Sequence, residues 1–480
     1  MGLISRLFGG WRRKPAPVRQ YVRAYDRPGP TLARVTPAVP AGGDTRQPVR
    51  PAVGASREVS LAPPNEAFTP TRPKPGRRQL VGRQVELDRI LQALVEEKAH
   101  VVLYSERGRG KTSLSNLAIE ALRRTGATVA RYTCEAGSDF DTVIRGLARD
   151  LPFSVLVSPV EGGAGEGCEA ALPMGSLRPR DVAAFPGRLS ARQLVCVIDE
   201  FDRIEDFETR TRLADTIKQV SDRGLPLSFM IVGVSESLDQ ILGQHPSIQR
   251  NVVAIHLPLL TDSDIASMLA KGGRESGLSF SPQAIVQVTV IARGMPYMAQ
   301  LLGLRIAQSA FARGEGNVGD EDVSAGVERL IDDARSNVVG LYATLTDSGR
   351  DGEMVTALRR IATAEQDGYG RLEVRTAPGG VTVGRRSVSA ACWARLQEAG
   401  VLRPANGSPS LFTFGDRGLV YHVLLLASRD GALLDQMPGS EPSLRVVSGP
   451  RPVRRTAGSV AAADDIAGPN WLRSAAPDID

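Results

Sequence analysis

Ser105-Glu106-Arg107-Gly108-Arg109-Gly110-Lys111-Thr112 follows the apolar run Val101–Tyr104 and opens a helical stretch that reaches about Arg124. The spacing is that of a phosphate-binding loop, GxxxxGK[ST], with Ser105 in place of the first glycine. Gly108 and Gly110 let the backbone curl until successive N–H groups face one point. The helix that starts at Lys111, Thr112 and Ser113 adds a dipole favourable to an anion. Lys111 supplies a positive charge for β- and γ-phosphates, and the Thr112 hydroxyl is placed to ligate Mg²⁺. Residues Ser105 to Ser113 are therefore the candidate nucleotide-binding set.

A second stretch completes the chemistry. Leu194-Val195-Cys196-Val197-Ile198-Asp199-Glu200 is an apolar run ending in two carboxylates. A buried parallel strand delivers its C-terminal end to the ligand crevice. There Asp199 would serve the Mg²⁺ shell, and Glu200 would orient and deprotonate an attacking water. Further strands are expected at Ala127–Tyr132 and Ser228–Val234. Helices are expected from Ser138 to about Leu151 and over Glu205–Ser221, with a loop or insertion at 154–180. Strands alternating with helices imply an α/β fold with a parallel sheet. From Thr261 to about Arg335 the pattern is helical only.

These motifs resemble AAA+ ATPases, most closely the origin-recognition or initiator type and its bacterial relatives. Leu80-Val81-Gly82-Arg83-Gln84-Val85-Glu86-Leu87 is similar to a box that packs near adenine in that family, which makes Arg83 a nucleotide contact. Gly233-Val234-Ser235-Glu236-Ser237 stands where the family places a polar sensor of the γ-phosphate. Ser235 is the choice, with Glu236 and Ser237 close rivals. Arg250, before the short strand Val252–Leu257, takes the place of an arginine finger. In Arg293-Gly294-Met295-Pro296-Tyr297 the lid motif carries Tyr297 where the family has arginine. The resemblance spans about residues 79–430. It implies a P-loop core, a helical lid and a winged helix, with ATP and Mg²⁺ as cofactors and a nucleotide-dependent homo-oligomer.

Composition bounds the rest. Net charge is +6, yet residues 1–78 hold 15 Lys/Arg against 4 Asp/Glu and 13 of the 32 prolines, which leaves the remainder slightly acidic. The basic charge thus belongs to a tail, and it does not mark the whole chain as a nucleic-acid binder. The expected organisation is a Pro-rich disordered tail at 1–78, a nucleotide-binding core at 79–258 and a lid at 259–338. A winged helix at 339–430 and a second tail at 431–480 follow. No apolar run approaches the ~20 residues of a membrane span. The four scattered cysteines point to a reducing, cytoplasmic setting. Leu3, Ile4, Leu7, Phe8 and Trp11 line one side of a short helix ahead of Arg12–Lys14. Residues 3–14 could therefore hold the protein peripherally on an anionic membrane.

In the C-terminal region Asp351–Ala362 and Arg386–Ala399 read as helices, and Leu411–Phe414 reads as a strand. Helix–helix–hairpin order is that of a winged helix. Arg385, Arg386 and Arg395, with the turn at Asn406-Gly407, could meet DNA. The expected function is ATP-driven remodelling or switching of a macromolecular partner. That partner is DNA in one reading; in the other the protein is a signalling switch acting on proteins.

Overall fold

The apolar runs of the N-terminal half form one sheet in which every pairing is parallel. The computed structural model describes residues 62–71, 81–157, 167–235, 250–347, 349–405 and 408–433. The strands are β1 (His100–Ser105), β2 (Thr128–Thr133), β3 (Leu194–Asp199), β4 (Leu227–Val234) and β5 (Val252–His256), in the spatial order β2-β3-β4-β1-β5. β3 is buried along its whole length and β4 along nearly all of its length, as expected when helices cover both faces of a parallel sheet. The P-loop therefore leaves β1 at the same edge as the carboxylates that end β3. β4 lies between the two strands and also brings Ser235 to that edge.

Helices α2 (Gln84–Leu91), α3 (Lys111–Arg124), α4 (Phe140–Arg149), α5 (Pro179–Ala184) and α6 (Phe207–Asp222) flank the sheet, and α1 is the short turn Pro64–Ala67. α4 starts later than the sequence suggests. Asp139, not Ser138, is its cap, accepting the Thr142 N–H at 2.8 Å, while the Ser138 hydroxyl accepts the Glu135 N–H. A carboxylate at this position stabilises the first turn through both hydrogen bond and dipole.

The lid consists of α7 (Asp262–Glu275), α8 (Pro282–Ala292), α9 (Pro296–Arg313) and α10 (Asp320–Asp332), with a two-residue bridge between β6 (Ser279–Phe280) and β7 (Asn317–Val318). Beyond it come α11 (Ser336–Leu345), α12 (Gly352–Ala362), β8 (Leu372–Ala377), β9 (Gly380–Val383), β10 (Arg386–Ser389), α13 (Ala390–Glu398), β11 (Leu402–Pro404), β12 (Leu411–Phe414) and α14 (Arg417–Arg429). β8 to β12 form an antiparallel sheet in the order β10-β9-β8-β12-β11.

Arg386–Ala399 is thus not one helix. Its first four residues pair with β9, and α13 begins only after Ser389, whose hydroxyl caps the Cys392 N–H. Arg-Ser-Val-Ser carries its one apolar side chain between polar neighbours, a period of two that a helical reading passes over. The hairpin turn Asn406-Gly407 lies outside the described residues.

Three hydrophobic cores result. Two sit on opposite faces of the parallel sheet. The third runs without interruption from lid residues such as Leu269, Leu302 and Val327 to Leu358, Leu396 and Leu424 of the C-terminal module. No apolar boundary falls at 338, so lid and C-terminal module pack as one body.

Residues 62–71 belong to the stretch expected to be a tail, yet they are folded against this body. Phe68 is buried and meets the Phe280 ring edge-on at 5.9 Å. Gly272 and Gly303 make room for its ring, since a Cβ at either would come within 2.5 Å of it. Phe68→Ala should cost ~3–5 kcal/mol, the range for deleting a buried aromatic ring. Urea unfolding checks this. Deleting residues 1–60 should leave the midpoint unchanged, whereas deleting 1–78 should lower it as Phe68→Ala does.

Candidate functional site

A cavity of about 540 Å³ opens where β1, β3 and β4 end beneath the lid. That is within the range of pockets that hold small ligands and cofactors. One wall is the loop from Arg107 to Ser113; another is Asp199, Glu200, Asp202 and Arg203. The apolar wall includes Val81, Leu260, Met268 and Pro296, with Thr69–Thr71 and Gln300 beside it. The backbone N–H of Thr69 donates to Gln300 Oε1 at 3.0 Å, so the folded N-terminal segment edges the cavity.

The loop has the backbone its sequence requires. Gly108 (φ +82°) and Gly110 (φ +91°) both occupy left-handed conformations. α3 begins without a side-chain cap, so its first N–H groups remain free to meet an anion. Lys111 is buried, and its ammonium donates to the carbonyls of Ser105 and Glu106, each at 2.8 Å. Burial pushes it down to about 8, and Asp202 is the charge that most favours its protonated form.

Thr112 and Asp199 both face the cavity, one hydroxyl and one carboxylate. Hard oxygen donors of this kind suit Mg²⁺, which takes its remaining ligands from phosphates and water. Asp199 is nearly fully buried, and its Oδ1 accepts the Glu200 N–H at 2.9 Å. Glu200 itself has φ +53°, strained for a residue with a Cβ, and such outliers collect at functional sites. Its Oε2 pairs with Arg203 Nε at 2.5 Å, both side chains being about half exposed. An exposed pair holds with only ~0–1 kcal/mol, so Glu200 is free to turn.

Not every residue singled out from the sequence faces the cavity. Ser105 is buried at the end of β1. Glu106 points towards the C-terminal module, where its Oε2 accepts from Arg417 Nε at 2.5 Å. Arg109 lines the cavity, but its guanidinium is wholly buried and turned away. It donates to the carbonyls of Leu257 (3.0 Å), Gly368 (3.2 Å) and Tyr369 (2.6 Å) and pairs with Glu106 at 3.3 Å. Arg83 lines the cavity while bracing its floor, donating to Pro258 O at 2.7 Å and more weakly to Arg109 O at 3.4 Å.

Ser235 is buried, with its N–H 3.4 Å from Ser105 O. Arg250 is exposed in the turn before β5. Glu236 and Ser237, residues 3–14 and residues 434–480 of the C-terminal tail lie outside the described residues, whereas Leu433 is buried against the C-terminal module. Tyr297 lines the cavity and donates its N–H to Gly108 O at 3.3 Å, so the lid touches the loop directly.

Sequence reading missed Asp202, Arg203 and Arg131. The first two follow Asp199-Glu200 by two and three residues and could have been found by asking what the next turn carries. Arg131 is the one charged residue of its strand, a signal that it has a partner.

The parallel sheet in the order β2-β3-β4-β1-β5, with a glycine-bearing loop after β1 and paired carboxylates after β3, has the fold of a P-loop NTPase core, here followed by a helical lid. No protein-family model matches the sequence, and no curated protein sequence matches it. Among solved structures it is similar to the Walker-type ATPase PABY2304 of Pyrococcus abyssi, at 17% identity and a TM-score of 0.44, over 74% of this chain and 98% of that one. It is also similar to the ORC2 protein of Aeropyrum pernix, at 15% identity and a TM-score of 0.43, over 77% of this chain and 99% of that one. A third is the RuvB Holliday junction branch migration motor of Thermotoga maritima, at 14% identity and a TM-score of 0.40, over 71% and 95%.

The lowered pKa of Lys111 sets a pH dependence. Burial favours the neutral amine, whereas a phosphate favours the ammonium, so above about pH 8 nucleotide binding must take up a proton. Affinity should stay level from about pH 7 to 8 and fall at higher pH. Titrating a fluorescent nucleotide up to about pH 9.5 reads this. Lys111→Arg, whose charge persists, should flatten the curve.

Proposed function

We propose that the protein binds and hydrolyses ATP with Mg²⁺ and uses the cycle to switch the body made of lid and C-terminal module. The observation that carries this reading is the convergence on one cavity of a P-loop with its uncapped helix, Thr112, Asp199 and Glu200. The free N–H groups and Lys111 would bind the phosphates. Lys111 would exchange its two loop carbonyls for phosphate oxygens. Thr112 and Asp199 would hold the Mg²⁺, which neutralises charge on the phosphates when bound. Glu200, released from Arg203, would orient and deprotonate the attacking water. The apolar wall at Val81, Leu260, Met268 and Pro296 is suited to a nucleobase.

The switching half of the reading rests on Glu106 and Arg109. Both lie within the loop that would cradle the phosphates, and both bind the C-terminal module. A shift of the loop on phosphate binding would pull on Arg417, Gly368 and Tyr369. Exposed Arg250 is suited to reach the nucleotide of a second copy, as an arginine finger in an oligomer would.

A protein-directed switch is favoured over DNA binding by two of the three arginines considered for DNA. Arg395 donates to Asp351 Oδ2 and Leu345 O, both at 2.8 Å, and Arg386 donates to the Thr363 hydroxyl. Their guanidiniums are already engaged within the module, so reaching a phosphate would mean giving up these bonds.

Glu200→Gln should retain ATP binding and lose hydrolysis by ~10²–10⁴-fold, the usual contribution of a general base. Lys111→Ala should weaken binding itself. Phosphate release and fluorescent-nucleotide titration separate the two, and parental turnover in Glu200→Gln would rule out its assignment as the base.

A further inference from the structure

Asp199 has a cation of its own. Arg131 lies on β2, on the sheet face covered by α3: its neighbour two residues back, Val129, packs into the core on that side, as does its register partner Val197. From there one terminal nitrogen of its guanidinium donates to Asp199 Oδ2 at 2.6 Å, and the second terminal nitrogen to Asn116 Oδ1 on α3 at 2.7 Å. Asn116 stands one turn after Thr112, the other metal-ligand candidate. Asp199 therefore has Oδ1 held by the Glu200 N–H and Oδ2 held by Arg131, with Lys111 acting on it from the P-loop. Arg131 is about a third exposed and is not among the cavity-lining residues, so it reaches Asp199 without occupying the ligand's space.

We infer that Arg131 is a positioning residue that sets the metal demand of the site. It fixes the orientation of the Asp199 carboxylate and balances its charge before any ligand arrives. The nucleotide-free protein then has little attraction for a divalent cation, and the cation enters with the negative charge of the phosphates. A unit positive charge roughly 5 Å from a divalent ion weakens its binding by more than tenfold even when screened as in water, at a dielectric of about 80. Nucleotide binding should in turn depend only weakly on metal, because two fixed cations, Lys111 and Arg131, already offset the acidic side of the cavity. This rests on the reading of the cavity as a Mg²⁺–nucleotide site, and the test separates the two.

The experiment measures Mn²⁺ binding by electron paramagnetic resonance, with metal alone, on the wild type, Arg131→Gln and Arg131→Lys. A fluorescent ADP analogue is titrated in parallel, in EDTA and in Mg²⁺. Arg131→Gln should bind Mn²⁺ about tenfold or more tightly than the wild type. Arg131→Lys keeps the charge and should stay within about threefold of the wild type. The wild-type ADP affinity should differ by less than about tenfold between EDTA and Mg²⁺, a readout that holds even if Arg131→Gln fails to fold. Equal Mn²⁺ binding by Arg131→Gln and wild type would overturn the inference. So would a lysine variant that behaves like the glutamine variant, or a wild type that binds ADP only with metal. Absence of nucleotide binding under every condition would overturn the site reading itself.

Discussion

A guanidinium with no exposure to solvent is costly unless it is paired and hydrogen-bonded, and Arg109 is the largest such side chain among the described residues, with partners at both terminal nitrogens and none at Nε. Burial lowers its pKa, so the surroundings must compensate for the charge. They do so with Glu106 and with carbonyls from two places far apart in the chain: Leu257 at the end of β5, and Gly368 and Tyr369 ahead of β8. Gly370 follows at φ +79°, and a Cβ there would stand 2.1 Å from the Arg417 guanidinium and 2.9 Å from that of Arg109, displacing both from the cluster. Removing one partner from a buried pair of this kind typically costs 3–5 kcal/mol, which is a large share of a domain's stability. The P-loop and the C-terminal module are thus held by one charge cluster.

The distribution of apolar surface explains why that cluster matters for motion. The parallel sheet has its own two cores, and lid and C-terminal module share a third. Between these bodies the contacts named are polar or aromatic: Tyr297 N–H to Gly108 O, Arg109 to the carbonyls of Gly368 and Tyr369, Arg417 to Glu106, and the ring of Tyr369 against His256 at 4.2 Å. The Arg371 guanidinium also lies over the Tyr369 ring, 4.5 Å from its centroid. Polar interfaces within a chain are the ones that move most readily. A phosphate drawing Lys111 away from the Ser105 and Glu106 carbonyls acts at the hinge of this interface, because Glu106 also holds Arg417.

Much of the core was legible in the sequence because its signals are local. The apolar runs that became β1, β3 and β4, the spacing of Gly108, Gly110 and Lys111, and the pair Asp199-Glu200 each fit within a few residues. What stayed hidden depends on distance. Arg109 looks like a phosphate ligand beside Lys111, and it takes the approach of Leu257, Gly368 and Tyr369, the last 260 residues on, to hold its side chain away. Arg131 reads as an odd charge in a strand until β3 places Asp199 next to it. The segment 62–71 is rich in proline and carries no helical period, yet Phe68 finds two glycines shaped to receive it. In Arg386–Ser389 a four-residue strand was absorbed into the helix that follows, because a period of two needs more residues than that to stand out.

The central claim is that nucleotide in the cavity and the contact of Glu106 and Arg109 with the C-terminal module share one free energy. Hydrogen exchange at the amides of Tyr369, Gly370 and Arg371, which bond to Asp367 in the described state, reports on that contact directly. Saturating ATP should change their exchange rates by roughly tenfold or more in the wild type, and by reciprocity Arg417→Ala should change ATP affinity by a matching factor. Exchange rates at these three amides that are identical with and without bound ATP, together with an unaltered ATP affinity in Arg417→Ala, would contradict it.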